Sequence, residues 1–227
     1  MAHDISDFET KAGFTFNSKV LLRQAFTHRS FLNENKGAGE HNERLEFLGD
    51  AVLELVVSEF LFKKYPEKPE GELTSLRAAL VNTTSISQAA QDLGMNDYLL
   101  LSRGEAKDTG RARQYILANT FEAFIGALYL DQGYDAATRF IGDSLFNKAD
   151  DIVKNRLWQD AKSSFQEMAQ DKYGVTPHYE LMGEVGPDHD KRFTSAVFIG
   201  DHEVARGEGK SKQEAEQSAA ERALSDY

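Results

Sequence analysis

His41-Asn42-Glu43-Arg44-Leu45-Glu46-Phe47-Leu48-Gly49-Asp50 is the stretch whose reading decides the fold. It opens a long amphipathic run with a helical period, and Asn42 is placed to cap a helix from Glu43 to about Lys64, ended by Pro66. Glu43, Glu46 and Asp50 stand at i, i+3 and i+7, so a 3.6-residue helix puts all three on one face. Like charges in a row repel, and a helix gains nothing from them unless they are solvated or hold a cation. Leu45, Phe47, Leu48, Val52, Leu53, Leu55, Val56, Val57, Phe60 and Leu61 point in nearly every other direction. One apolar stripe suffices for a surface helix, so this one is expected to be covered on several sides, where unneutralised carboxylates are costly.

Outward from this segment, residues 1–155 read as helical. Asn17-Ser18 caps a helix through Leu21, Leu22 and Ala25; Glu72–Asp92 continues the pattern up to Gly94. Leu99–Gly110 reads as a charged, Gly-containing connection, Gln114–Leu130 as another helix and Tyr134–Val153 as a further one. In the Gln114–Leu130 helix Asn119 and Glu122 stand at i, i+3 among Ile116, Leu117, Phe121, Phe124 and Ile125. Hard oxygen donors from two apolar helices suit Mg²⁺ or Mn²⁺. Spacing alone leaves open the plainer reading, a set of solvated carboxylates at helix ends.

After about residue 155 the pattern changes. Ala161–Lys172 reads as a helix, His178–Val185, Arg192–Ile199 and His202–Arg206 as strands, and Ser211–Leu224 as a helix with an alanine face at 215, 219, 220 and 223. The expected fold class is an all-α N-terminal domain plus a small α+β (α-β-β-β-α) C-terminal domain. The expected boundaries are a first domain over 5–133, a connecting helix and linker over 134–159, and a second domain over 160–227, with the change near Asn155–Gln159.

Composition bounds the rest. The chain has 227 residues, a 41% hydrophobic fraction, four prolines and no cysteine, so disulfides and thiolate metal sites are excluded. There is no apolar run of membrane-spanning length and no basic-then-apolar leader, which points to a cytoplasmic protein with no membrane partner. The net charge is -11, divided as 17 Lys+Arg against 23 Asp+Glu in residues 1–155 and 9 against 14 thereafter. Phosphate binders are usually basic, so any nucleic-acid role must rest on local geometry.

HNERLEFLGDAVLE resembles the signature of the ribonuclease III family, and the likeness extends to FTFNSKVLLRQAFTHRS, EGELTSLRAALVN and ILANTFEAFIGALYLDQG in the family's order and spacing. The resemblance implies a homodimeric, Mg²⁺-dependent endoribonuclease (Mn²⁺ as an alternative) for double-stranded RNA, with no nucleotide cofactor. It implies Glu46, Asp50, Asn119 and Glu122 as metal ligands, with Asp50 and Glu122 catalytic. Glu43 and Glu70 match acidic positions serving the cleavage site or dimer assembly, and Phe47 matches a dimer-interface aromatic. Asn119 stands where the family often has aspartate, leaving three formal charges instead of four. His28 and His41 are read as structural or RNA-proximal.

The implied products carry 5′-phosphate and 3′-hydroxyl ends with two-nucleotide 3′ overhangs, and the implied substrates are ribosomal RNA precursors and some messenger RNAs. The C-terminal segment resembles a double-stranded-RNA-binding domain, which reads A-form shape and not base sequence. Gln166, Glu167, His189, Lys210, Ser211 and Lys212 fall in its contact regions; Gln213 replaces a lysine common there. A non-cutting relative that only holds duplex RNA is the rival reading, disfavoured by Glu46, Asp50 and Glu122.

Overall fold

The computed structural model describes residues 4–154, 161–187 and 191–225. The chain divides into two compact units, Met1–Trp158 and Gln159–Tyr227. The expected change near Asn155–Gln159 lies outside the described residues.

The first unit is helical: α1 (Ile5–Ala12), α2 (Lys19–Ala25), α3 (Arg29–Glu34), α4 (Glu43–Lys64), α5 (Glu70–Val81), α6 (Thr83–Asp92), α7 (Arg111–Gln132), α8 (Tyr134–Leu145) and α9 (Ala149–Lys154), with short 3₁₀ turns between. Its core is α7, buried along Ile116–Ala118, Thr120–Phe121 and Ala123–Leu128, with Phe8, Phe26 and Phe140 edge-on or tilted around Phe124. A helix apolar all round belongs at the centre of such a bundle. Against it packs α4, through Leu45, Val52, Leu53, Val56, Val57 and Leu61.

Several local expectations need correction. Asn42 precedes α4 but does not cap it with its side chain; its Nδ2 donates to the Ala25 carbonyl at 3.2 Å and its backbone N–H to that of Thr27 at 2.9 Å. The tie to the preceding segment has won over the cap. The stretch expected to run through Glu72–Asp92 is two helices, broken at Asn82, whose extended backbone ends α5 and whose Oδ1 accepts from Ser85 N to start α6. Tyr134–Val153 is likewise interrupted, by a 3₁₀ turn at Phe146–Lys148. The helices α1 and α3 were not expected from the pattern; both are short.

The second unit runs α10 (Ala161–Tyr173), β1 (His178–Val185), β2 (Arg192–Ile199), β3 (His202–Gly209), α11 (Lys212–Ser225). The antiparallel sheet has the order β1-β2-β3. The α11 alanine face at 215, 219, 220 and 223 is fully buried. It lies so close on β3 that a Cβ at Gly207 would stand 2.1 Å from Ala219 N and one at Gly209 2.4 Å from Glu214 Cβ. The α-β-β-β-α expectation holds, with the third strand three residues longer than expected.

Candidate active site and RNA-facing surface

Two glycines set the geometry where α4 crosses α7. A Cβ built at Gly49 would lie 1.8 Å from the Glu122 carbonyl oxygen, and one at Gly126 would lie 2.2 Å from that of Leu45. Backbone therefore meets backbone, and the helices approach more closely than any side chain would allow. Residues beside these glycines are brought face to face: Glu46 and Asp50 from α4, Asn119 and Glu122 from α7.

The side chain of Asn119 stands beside the Glu46 carboxylate and favours its charged form. Burial, then the neighbouring Glu43 and Asp50 charges, raise the Glu46 carboxyl above its ordinary value, against the stabilising Asn119 amide. Glu122 is pushed up to about 8 by burial first, then by Asp50, Glu46 and Glu54. These carboxylates are not sealed in a core, as the apolar surroundings suggested: Glu46 and Glu122 are half-buried and Asp50 is exposed.

Among the described residues no Lys or Arg pairs with Glu46, Asp50 or Glu122. Nor do three or more His, Asp or Glu side chains there form a group drawn together as for a cation. Mutual repulsion opposes closer approach without positive charge between them. A row of hard oxygen donors, two of them with their affinity for a proton driven up, is a donor set that fits a divalent ion.

Of the other acidic positions, Glu43 lies one turn before Glu46 and Glu70 is held on another helix. Glu43, in the first turn of α4, takes a long contact of 3.4 Å from Arg29 and is near His41. Glu70 begins α5, where Thr74 Oγ1 donates to it at 2.9 Å. It lines a groove with Leu55, Phe62, Leu73 and Arg77. Phe47, Leu55 and Phe62 are 81%, 58% and 71% exposed, so α4 is covered on its α7 side and leaves large apolar side chains on another. His28 serves structure: its Nδ1 accepts from Ser30 N at the start of α3, and burial lowers its proton affinity.

In the second unit Gln166 and Glu167 are exposed on α10, while Phe165 and Ala169 face the core. At the start of α11, Ser211 Oγ accepts from Glu214 N at 3.1 Å and Glu214 Oε2 accepts from Lys210 N at 2.7 Å, a reciprocal cap. Lys210 and Lys212 are exposed beside it. His189 lies outside the described residues.

Reading the sequence missed the two glycines and the pair Glu54–Arg77, whose Oε2–Nε distance is 2.7 Å. A signal existed for each: glycine inside an otherwise apolar helix marks close backbone approach, and Glu54 continues the acidic row four residues beyond Asp50.

Residues 18–149 match the family model described as ribonuclease-III-like, and residues 161–227 that of the double-stranded RNA binding motif. The chain is 50% identical over 217 residues to ribonuclease 3 of Natranaerobius thermophilus, covering 96% of this chain and 94% of that one. It is 46% identical over 217 residues to ribonuclease 3 of Protochlamydia amoebophila, covering 96% and 89%. The solved nuclease domain of ribonuclease III from Campylobacter jejuni, described as structurally flexible in a region involved in dimer formation, is similar at a TM-score of 0.56 and 42% identity. That likeness covers 62% of this chain and 98% of that one. Among the described residues no helix is long and apolar enough to cross a membrane.

Proposed function

The chain belongs to the ribonuclease III family, and from that premise we propose that Glu46, Asp50, Asn119 and Glu122 hold Mg²⁺ at the α4–α7 crossing, with Asp50 and Glu122 as the carboxylates on which cleavage depends. Membership makes the chain an endoribonuclease acting on double-stranded RNA and implies use of a divalent metal ion. The observation that carries the assignment is the meeting of four oxygen-bearing side chains across a glycine-spaced helix crossing with no basic side chain among them.

When bound, such an ion supplies Lewis acidity to the scissile phosphate and makes a coordinated water more acidic. The protein's part is to orient the donors. Asn119 steadies Glu46, and the crossing fixes Asp50 against Glu122. Glu43 and Glu70 flank the site, in contact with RNA or in dimer assembly. Hydrolysis at this site leaves 5′-phosphate and 3′-hydroxyl ends.

The exposed apolar face of α4, with Phe47 at its start, supports a homodimer. Two sites in one dimer cut opposite strands and leave two-nucleotide 3′ overhangs. Gln166, Glu167, His189, Lys210, Ser211 and Lys212 hold the duplex, with the α11 N-terminus and its lysines against phosphates. Domain limits of 5–133, 134–159 and 160–227 fit this division of labour. A cytoplasmic enzyme trimming ribosomal RNA precursors and some messenger RNAs is the cellular role we favour, with no membrane or nucleotide cofactor involved.

The test is incubation of the purified protein with a perfect RNA duplex, with and without Mg²⁺. Cutting only with the ion, to overhanging 5′-phosphorylated products, is expected. Binding without cutting at any Mg²⁺ or Mn²⁺ concentration would favour the non-cutting scaffold instead.

A further inference from the structure

The acidic row on α4 is longer than the proposed cation site. Glu43, Glu46, Asp50 and Glu54 stand at i, i+3, i+7 and i+11, all on one face. Arginines engage its two ends, and no Lys or Arg among the described residues engages its middle. At the first end Arg29 reaches Glu43 at 3.4 Å, with both side chains well exposed. At the other the contact is shorter and better held. Arg77 of α5 places Nε 2.7 Å from Glu54 Oε2. Its Nη1 donates to Ser58 Oγ at 2.9 Å, and the Ser58 hydroxyl donates to the Glu54 carbonyl oxygen at 2.6 Å. The guanidinium is thus aimed by two α4 groups one turn apart, which makes it more than a loose surface pair. Glu54 is near enough to Glu122 for its charge to act there.

We infer that Arg77 is a positioning residue that bounds the cation site: by holding Glu54 toward α5 it keeps a fourth carboxylate from joining Glu46, Asp50 and Glu122. The inference rests on the cation site proposed above. Charge and geometry both support it. One turn of helix separates Glu54 from Asp50, a gap that a flexible glutamate spans when free. A freed Glu54 would supply the negative charge that Asn119 does not. It would also draw the ion along α4, away from Glu46, which sits two turns earlier on the same face. Neutralising Glu54 with a fixed guanidinium leaves the ion with Glu46, Asp50 and Glu122 as its charged partners.

The test is Mn²⁺ binding to the RNA-free, full-length protein by calorimetry, with thermal melts to confirm folding. Arg77→Gln should bind Mn²⁺ about threefold or more tighter, because one carboxylate joins the group. Arg77→Lys, which keeps the charge, should stay near wild type. Glu54→Gln combined with Arg77→Gln replaces the ion pair by two amides and should return binding to within about twofold of wild type.

Wild-type affinity in folded Arg77→Gln overturns the inference. So does a double variant that stays as tight as Arg77→Gln, or that binds threefold or more weaker than wild type, since the latter makes Glu54 a ligand already. If Arg77→Gln alone does not fold, Arg77→Met takes its place with the same expected and overturning results. Glu122→Gln separates the underlying reading: if it binds Mn²⁺ as well as wild type, the proposed cation site falls and this boundary with it.

Discussion

The α4–α7 crossing and the start of α11 are both assigned to phosphate chemistry, and they are made in opposite ways. At the crossing, like charges are gathered without compensation, on helices locked together by backbone contact at Gly49 and Gly126. At α11, opposite charges are spread in solvent: Lys210 and Lys212 are exposed beside a cap made by Ser211 and Glu214. On the function proposed above, the first region stores repulsion that a divalent ion would relieve, and the second would need no ion and offer several exchangeable contacts. The difference teaches that substitutions in the first should act nearly all-or-none, and those in the second by degrees.

The largest expected effect lies in the first region. Glu122→Gln should lower cleavage of a perfect duplex by about a thousandfold or more while leaving duplex binding within about twofold. Cleavage assays beside gel-shift titrations check both halves. The same variant exposes the stored repulsion. Glu122 is raised in the folded state from 4.5 to about 8. Its contribution is therefore intact below about pH 4.5 and lost as pH rises toward 8, because the unfolded chain releases the proton first. With metal chelated, wild-type stability should fall between about pH 5 and pH 8 by ~2 kcal/mol relative to Glu122→Gln, allowing for partial exposure. Parallel melts with no divergence would mean that the carboxylates are well solvated and that the contrast with α11 is overstated.

Gly126→Ala comes next. Its methyl group would meet the Leu45 carbonyl oxygen, which cannot rotate away, so the helices must part. A loss of about 2–3 kcal/mol in chemical denaturation is expected, with a rise in the Mg²⁺ needed for half-maximal cleavage. A raised requirement without lost stability would show that the glycine matters for something other than the crossing. In the second region Lys212→Ala removes one exposed contact. It should weaken duplex binding about three- to tenfold at low salt and lower the salt dependence by about one unit of slope. A total loss of binding would break the distinction drawn between the regions.

The fold was legible where periodicity is strong and unbroken. The acidic row on α4 and the alanine face of α11 placed those helices to within a residue or two, because burial on α7 and on the sheet enforces the pattern. Asn82 was opaque, because a single residue both ends α5 and starts α6 while the apolar period continues through it. Asn42 was misread because a long-range bond to Ala25 competes with a local cap. Of the site, spacing put Glu43, Glu46 and Asp50 on one face and paired Asn119 with Glu122, while the choice of Glu46, Asp50, Asn119 and Glu122 as ligands came from the family resemblance. Spacing could not show that Glu70 stands with a groove of apolar side chains apart from them, or that Arg77 reaches Glu54 from another helix. Those facts depend on how α5 returns along α4, which no local pattern encodes.

Asn119→Asp gives the smallest and sharpest test. In the folded protein burial and acidic neighbours raise the Glu46 carboxyl, and the adjacent Asn119 amide offsets part of that rise. Aspartate would lose that donor and add a fourth charge to Glu46, Asp50 and Glu122. Two consequences oppose each other. Without metal, repulsion grows and the protein should melt somewhat lower at neutral pH. With metal, the extra charged oxygen should reduce the Mg²⁺ needed for half-maximal cleavage by about two- to threefold, a modest gain because the proposed site would already give the ion three carboxylates. Both are read from one preparation, by a Mg²⁺ titration of cleavage and by melts with chelator and with saturating Mg²⁺. The variant should be the less stable protein in chelator and should recover more on adding the ion. If its fold is intact and its Mg²⁺ requirement is unchanged or higher, Asn119 serves to hold Glu46 and does not touch the ion, which leaves Glu46, Asp50 and Glu122 as the whole of the ligand set.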